Sequence, residues 1–162
     1  MADPQAPGSG AVLGFDVGAR RIGVAVGNTF SGSARDLVVL AMVSDVPEWA
    51  RLDRLVDEWR PTSLVVGDPR ELDDEAALPP SRQRARRFAD RIGERYRVPV
   101  WLIDERRSSI EATQRFAAGR AAGTRRRREA ERLDALAAAI ILERWLQAPG
   151  DAQPWRPGDR SR

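Results

Sequence analysis

The chain contains no cysteine, no histidine and no lysine; all 27 of its basic residues are arginine. Without cysteine there are no disulfides, no thiol nucleophile and no thiolate zinc site. Without histidine there is no Ser-His-Asp chemistry, no imidazole base and no imidazole metal ligand. Without lysine there is no phosphate-loop lysine and no Schiff base. Carboxylates, hydroxyls, arginine and bound metal remain for catalysis. Oxygen donors lacking nitrogen or sulfur partners favour hard cations such as Mg²⁺ or Mn²⁺. Long apolar runs are also missing, and none reaches the ~18–20 residues of a membrane span. Residues 1–10 lack the basic start and apolar centre of a signal peptide, so the expectation is a cytoplasmic protein with no membrane contact.

The 162 residues suffice for one domain with a proper core. Net charge is only +3, but it is unevenly spread. Residues 1–81 carry 7 arginines and 13 acids, residues 82–128 carry 15 and 5, and residues 129–162 carry 5 and 6. The middle segment therefore stands at +10 between acidic flanks, which suggests a face for a polyanion. A solvated surface in an arginine-rich protein is the plainer alternative.

The first ten residues read as a disordered tail, residues 11–147 as the folded domain and residues 148–162 as a second disordered tail. Within the domain, residues 12–17 and 22–26 read as a hairpin around a turn at residues 18–21. A continuous apolar run suggests a strand covered on both faces. Asp16 near the end of that run is costly as an ion unless it is paired or holds a metal. It could equally cap the turn through its own backbone. Residues 37–43 make a third strand, completing an antiparallel meander. A helix is expected from residues 44–48, where Asp45 and Glu48 have capping-box spacing, with Trp49, Leu52, Leu55, Val56 and Trp59 on its inner face. Residues 63–67 form a buried fourth strand that opens at Asp68 into an acidic loop. A helix over residues 81–97 carries a basic outer surface. Residues 99–103 form a fifth strand ending at Asp104 and Glu105. Ser108 and Glu111 have capping-box spacing for a further helix. Residues 124–128 read as a basic loop, and a final helix over residues 129–147 carries Asp134 beside its apolar stripe.

The order β-β-β-α-β-α-β-α-α predicts an α/β fold. Its five-stranded mixed sheet combines a three-strand antiparallel meander with two parallel strands, and helices cover both faces. Right-handed crossovers place strands four and five beside strand one. A ligand site then lies beyond the carboxyl ends of strands one, four and five, where Asp16, Asp68, Asp104 and Glu105 sit.

Four blocks, in order, resemble one family. GFDVGARRIGVAV (residues 14–26) resembles the opening of the YqgF/RuvX proteins. DERRSS (104–109) is similar to their D-E-R-x-S-(S/T) motif, and LDALAAAIIL (133–142) to their final-helix pattern. VVGDP (65–69) stands where the family usually has V-G-L-P. The resemblance spans about residues 12–147. It implies a ribonuclease H-like fold, a relation to Holliday-junction resolvases, and a nuclease role in maturing the 5′ end of pre-16S rRNA.

Carried over residue by residue, the resemblance makes Asp16, Glu105 and Asp134 the catalytic, metal-binding carboxylates. They would hold two Mg²⁺ or Mn²⁺ ions for phosphodiester hydrolysis. Asp68 replaces the usual leucine and is either a fourth ligand or part of the loop chemistry before Pro69. Asp104 is expected to orient its loop. The expected nucleic-acid contacts are Arg20, Arg21, Arg106, Arg107, Ser108, Arg125, Arg126, Arg127 and Arg128, which would grip phosphates without reading sequence. The partner would be structured nucleic acid, either pre-rRNA or branched DNA, bound by a monomer or homodimer. A DNA four-way-junction resolvase and a non-catalytic nucleic-acid-binding protein are the alternatives. An actin-like ATPase would need a second such lobe, and no second D-x-G hairpin occurs.

Overall fold

In the computed structural model, which describes residues 8–69, 78–105 and 126–155 (by backbone alone for 126–130), residues 11–28 fold into the expected hairpin. Strands β1 (Ala11–Val17) and β2 (Arg21–Asn28) pair antiparallel, and the Gly18 N–H donates to the Arg21 carbonyl across the turn at 2.8 Å. Strand β3 (Ser33–Val43) continues the meander. Then come a short strand β4 (Val46–Pro47), helix α1 (Trp49–Trp59), strand β5 (Ser63–Asp68), helix α2 (Pro80–Tyr96) and strand β6 (Val100–Asp104). Helix α3 (Arg126–Gln147) leads through one 3₁₀ turn into strand β7 (Gln153–Trp155).

The strands form one sheet in the order β4-β3-β2-β1-β5-β6-β7. β5 runs parallel to β1 and β6 parallel to β5, so the carboxyl ends of all three meet at one end of the sheet. Helices α1 and α2 cover one face, where Leu13, Phe15, Ile22, Val24, Leu64 and Phe88 are buried. Helix α3 covers the other, against Val12, Ala25, Val65, Trp101 and Ile103.

The sheet has seven strands rather than five, and both additions are at its margins. Residues 44–48 do not begin a helix. Ser44 (φ 50°) and Asp45 (φ 62°) form the tight turn between β3 and β4, both in the left-handed region that suits a two-residue hairpin. Glu48 stands at the N-cap of α1, but its side chain accepts from the Ala41 N–H at 2.6 Å and makes no capping hydrogen bond. The C-terminal segment is no tail over residues 149–155. β7 pairs with β6, and the buried Trp155 donates its indole N–H to Asp90 at 2.8 Å. At the other end, the Gly8 carbonyl accepts from Thr62 Oγ1, and the Gly10 N–H donates to Thr29 Oγ1. The basic run read as a loop is helical from Arg126 onward. The helix expected from Ser108 lies outside the described residues.

Candidate active site

Asp16 lies on β1 directly opposite Gly23 of β2. Gly23 is where α3 crosses the hairpin, so closely that a Cβ there would overlap the carbonyl of Asp134. One cross-strand pair and one close helix crossing therefore set Asp16 beside Asp134, 118 positions later in the chain. Glu105 arrives from a third element. Its N–H donates to the Asp68 carbonyl at 3.2 Å, and its side chain turns back over Gly67, where a Cβ would meet Oε2 at 2.8 Å. Arg144 of α3 donates to the Asp104 carbonyl, tying the end of β6 to the same helix.

The carboxylates raise one another's proton affinity. Burial is the main cause at Asp16; a hydrogen bond from Glu105 opposes it, the Asp134 charge adds to it, and the balance is pushed up to about 6. Glu105, only 8% exposed, is raised well above the usual carboxylate range by burial, then by the Asp16 charge and their shared hydrogen bond. Their hydrogen bond lowers Asp16 and raises Glu105, so of the two Glu105 holds its proton more tightly. Asp134 is raised by burial, partly offset by Arg21, whose Nε donates to Oδ2 at 2.7 Å.

Three hard oxygen donors from separate elements, mutually repelling and sharing a proton, match the chemistry of a divalent cation. Among the described residues, no three acidic groups are yet drawn close enough to hold an ion together. Glu105 is turned to Asp16, and Asp134 to Arg21.

Asp68 adds its charge to those that raise Glu105, but its own oxygens are held by arginine. It is 2% exposed, and Arg82 engages both its oxygens, Nε to Oδ1 at 2.9 Å and Nη2 to Oδ2 at 3.1 Å; Arg86 stands 3.9 Å from Oδ2. A buried carboxylate paired in this way anchors α2 to the sheet end. Nothing in the spacing of Asp68 and Arg82, separated by an acidic loop, signals that pairing. Arg20 is exposed and has no carboxylate partner among the described residues, whereas Arg21 is committed to Asp134. Arg106, Arg107, Ser108 and Arg125 lie outside the described residues, as do the side chains of Arg126, Arg127 and Arg128. The basic surface expected of α2 is largely neutralised: Arg84 and Arg87 pair with Asp45, and Arg95 with Asp53.

Residues 10–148 match the model of the family described as RuvX, Holliday junction resolvase. The chain belongs to the RuvX family. A protein of Xanthomonas axonopodis pv. citri named "Putative pre-16S rRNA nuclease" is 57% identical over 143 residues, covering 88% of this chain and 91% of that protein. A protein of the same name from Xanthomonas oryzae pv. oryzae is 58% identical over the same shares. Thermus thermophilus RuvC, solved in complex with a Holliday junction substrate, superposes with a TM-score of 0.50 at 20% identity, covering 90% of this chain and 99% of that one. That likeness establishes the fold, an α/β fold of the ribonuclease H type. Membership makes the chain a nuclease, a hydrolase of phosphodiester bonds. No helix among the described residues is long and apolar enough to cross a membrane.

Proposed function

We propose that the chain is a divalent-metal-dependent endonuclease of the cytoplasm that trims the 5′ end of pre-16S rRNA. The observation that carries this reading is the convergence of Asp16, Glu105 and Asp134 at one end of the sheet in a chain 57% identical to relatives of that name. Asp16, Glu105 and Asp134 would hold two Mg²⁺ or Mn²⁺ ions. Bound there, such ions supply a water of lowered pKa and a counter-charge for the leaving oxygen. The chain's own residues do the rest. Glu105 gives up its proton to become a ligand, since a protonated carboxyl ligates poorly. Asp134 would have to leave the Arg21 guanidinium that now holds it to serve as a ligand, and Arg21 would then be free to join Arg20 in holding a phosphate backbone. Arg106, Arg107, Ser108 and Arg125 to Arg128 extend that grip. The protein would act as a monomer or homodimer.

The family description favours one other substrate, a DNA four-way junction. Both are tested side by side: a pre-16S 5′-leader RNA and a four-way DNA junction, each with Mg²⁺, Mn²⁺ or chelator, with wild type and with Asp16→Asn. The expected result is metal-dependent cutting of the RNA that Asp16→Asn lowers by about 10²–10³-fold, the scale on which losing one stabiliser of transition-state charge acts. Cutting of the junction alone would transfer the assignment to DNA. Binding without cutting under every condition would make the chain a non-catalytic nucleic-acid binder.

A further inference from the structure

At the opposite end of the sheet, on the face covered by α1, a cavity of about 240 Å³ opens beneath the β2–β3 turn. Asn28, Ser31, Ser33, Arg35 and Trp59 line it, and no acidic residue does. Arg35 is placed there by an irregularity in β3. The register slips by one between Val24 and Ala25, so Val26 pairs with Arg35 where an unbroken ladder would bring Asp36. A one-residue slip moves every later side chain to the other face. The bulge thus exchanges an acid for an arginine on the α1 side. Arg35 lies over the Trp59 ring, 5.4 Å from its centroid, and has no carboxylate partner among the described residues. Its donors are aimed by an aromatic face rather than consumed by an acid, unlike those of Arg82, Arg84, Arg87 and Arg95. The Trp59 indole N–H is buried without a partner.

Beside the cavity, Phe30 stands 82% exposed at the tip of the turn. The turn is rigidly built: the Phe30 N–H donates to Asn28 Oδ1 at 2.8 Å, the Gly32 N–H to the Asn28 carbonyl at 2.9 Å, and Ser31 and Ser33 share a hydrogen bond. An exposed aromatic on an ordered turn, next to a stacked arginine and a hydroxyl-lined recess, has the chemistry that holds an unpaired nucleotide. The base stacks, and the arginine and hydroxyls take its polar edges and phosphate. The recess is smaller than the ~300 Å³ at which drug-sized sites begin, so it suits one base.

We infer that this recess is a second nucleic-acid contact, a pocket for one unpaired nucleotide of a single strand, resting on the nuclease reading above. It lies five residues along β2 from Gly23, about 17 Å from the carboxylates along the strand and on the other face of the sheet. A bound strand therefore crosses the edge of β3 beyond the two-residue β4.

The test uses the full chain in chelator with a fluorescein-labelled oligouridylate octamer, read by anisotropy, and the same octamer carrying 4-thiouridine for photo-crosslinking. Arg35→Gln, Phe30→Ala and the recess-filling Ser33→Phe are each expected to weaken binding about tenfold, with melting temperatures near that of wild type. Crosslinks should fall in residues 28–35. If wild type binds while Arg35→Gln and Ser33→Phe bind equally well, the inference is overturned and the nuclease reading stands. Crosslinks that leave residues 28–35 unlabelled would likewise overturn it, leaving the Phe30 turn to a protein partner. If wild type fails to bind the octamer but cuts the leader RNA, only the pocket falls; if it neither binds nor cuts, both do.

Discussion

A single proton shared between Asp16 and Glu105 makes the site's stability depend on pH in a definite direction. The Asp16 carboxyl is raised to about 6, against roughly 4 in an unfolded chain. Between those values the folded state holds more protons than the unfolded one, so this group's contribution to stability falls as pH rises from about 4 to 6 and stays lost above. Asp16→Asn removes the penalty. The rise at Asp16 is worth up to roughly 3 kcal/mol, so in chelator the variant should melt about 5–10 °C above wild type at pH 7.5 and match it near pH 4.5. Mg²⁺ should raise the melting temperature of wild type at pH 7.5 and leave Asp16→Asn unmoved. A variant no more stable than wild type at pH 7.5 would refute the buried-charge reading. Asp16 was legible in the sequence as a lone carboxylate in a covered strand. The ties of Asp68 to Arg82 and of Asp134 to Arg21 were not, because pairings across 14 and 113 positions leave no periodic trace.

Among the elements, the close crossing of α3 over β2 positions Asp134. It depends on Gly23, the small member of the branched–small alternation along Ile22, Gly23, Val24, Ala25 and Val26. The alternation is visible in the sequence, but what fills the space beside the small residues is not, since it comes from a helix more than 100 positions away. Gly23→Ala drives a methyl into the Asp134 carbonyl, and α3 has to move. A cost of about 1–3 kcal/mol is expected from denaturant midpoints. Cleavage should fall further than the lost fraction of folded protein, because the shifted backbone carries Asp134 with it. Activity that falls only in step with stability would separate the crossing from the site. The elements that escaped the sequence reading fail for related reasons. The Ser44–Asp45 turn takes positive φ at two residues that elsewhere start helices. The three residues of β7 include Pro154, which a strand tolerates only at an edge, so the segment resembles a tail until β6 is there to pair with it.

Taken as a whole molecule, the chain sets its acidic first half against its basic middle. Asp45, Asp53 and Asp68 come from the segment with 7 arginines and 13 acids, and the α2 arginines that meet them come from the segment with 15 and 5. Right-handed crossovers were enough to foresee β5 beside β1 and the parallel β6 on the same side, one strand further out, and hence the acidic sheet end. The sequence-level charge count could not foresee that folding would use α2's share of the +10 internally. That distinction sorts the arginines by what they do for a polyanion. Each phosphate contact contributes about 0.7 to 0.9 to the slope of log K against log salt. Replacing Arg125, Arg126, Arg127 and Arg128 with serine should therefore flatten the slope for leader RNA by about 3. Replacing Arg87 and Arg95 with glutamine should leave the slope within about 0.5 of wild type while lowering the melting temperature, because those side chains hold Asp45 and Asp53. Filter binding from 50 to 300 mM salt measures both. A slope carried by α2 instead of residues 125–128 would mean that its ion pairs open on binding, and that the basic middle segment acts as one surface after all.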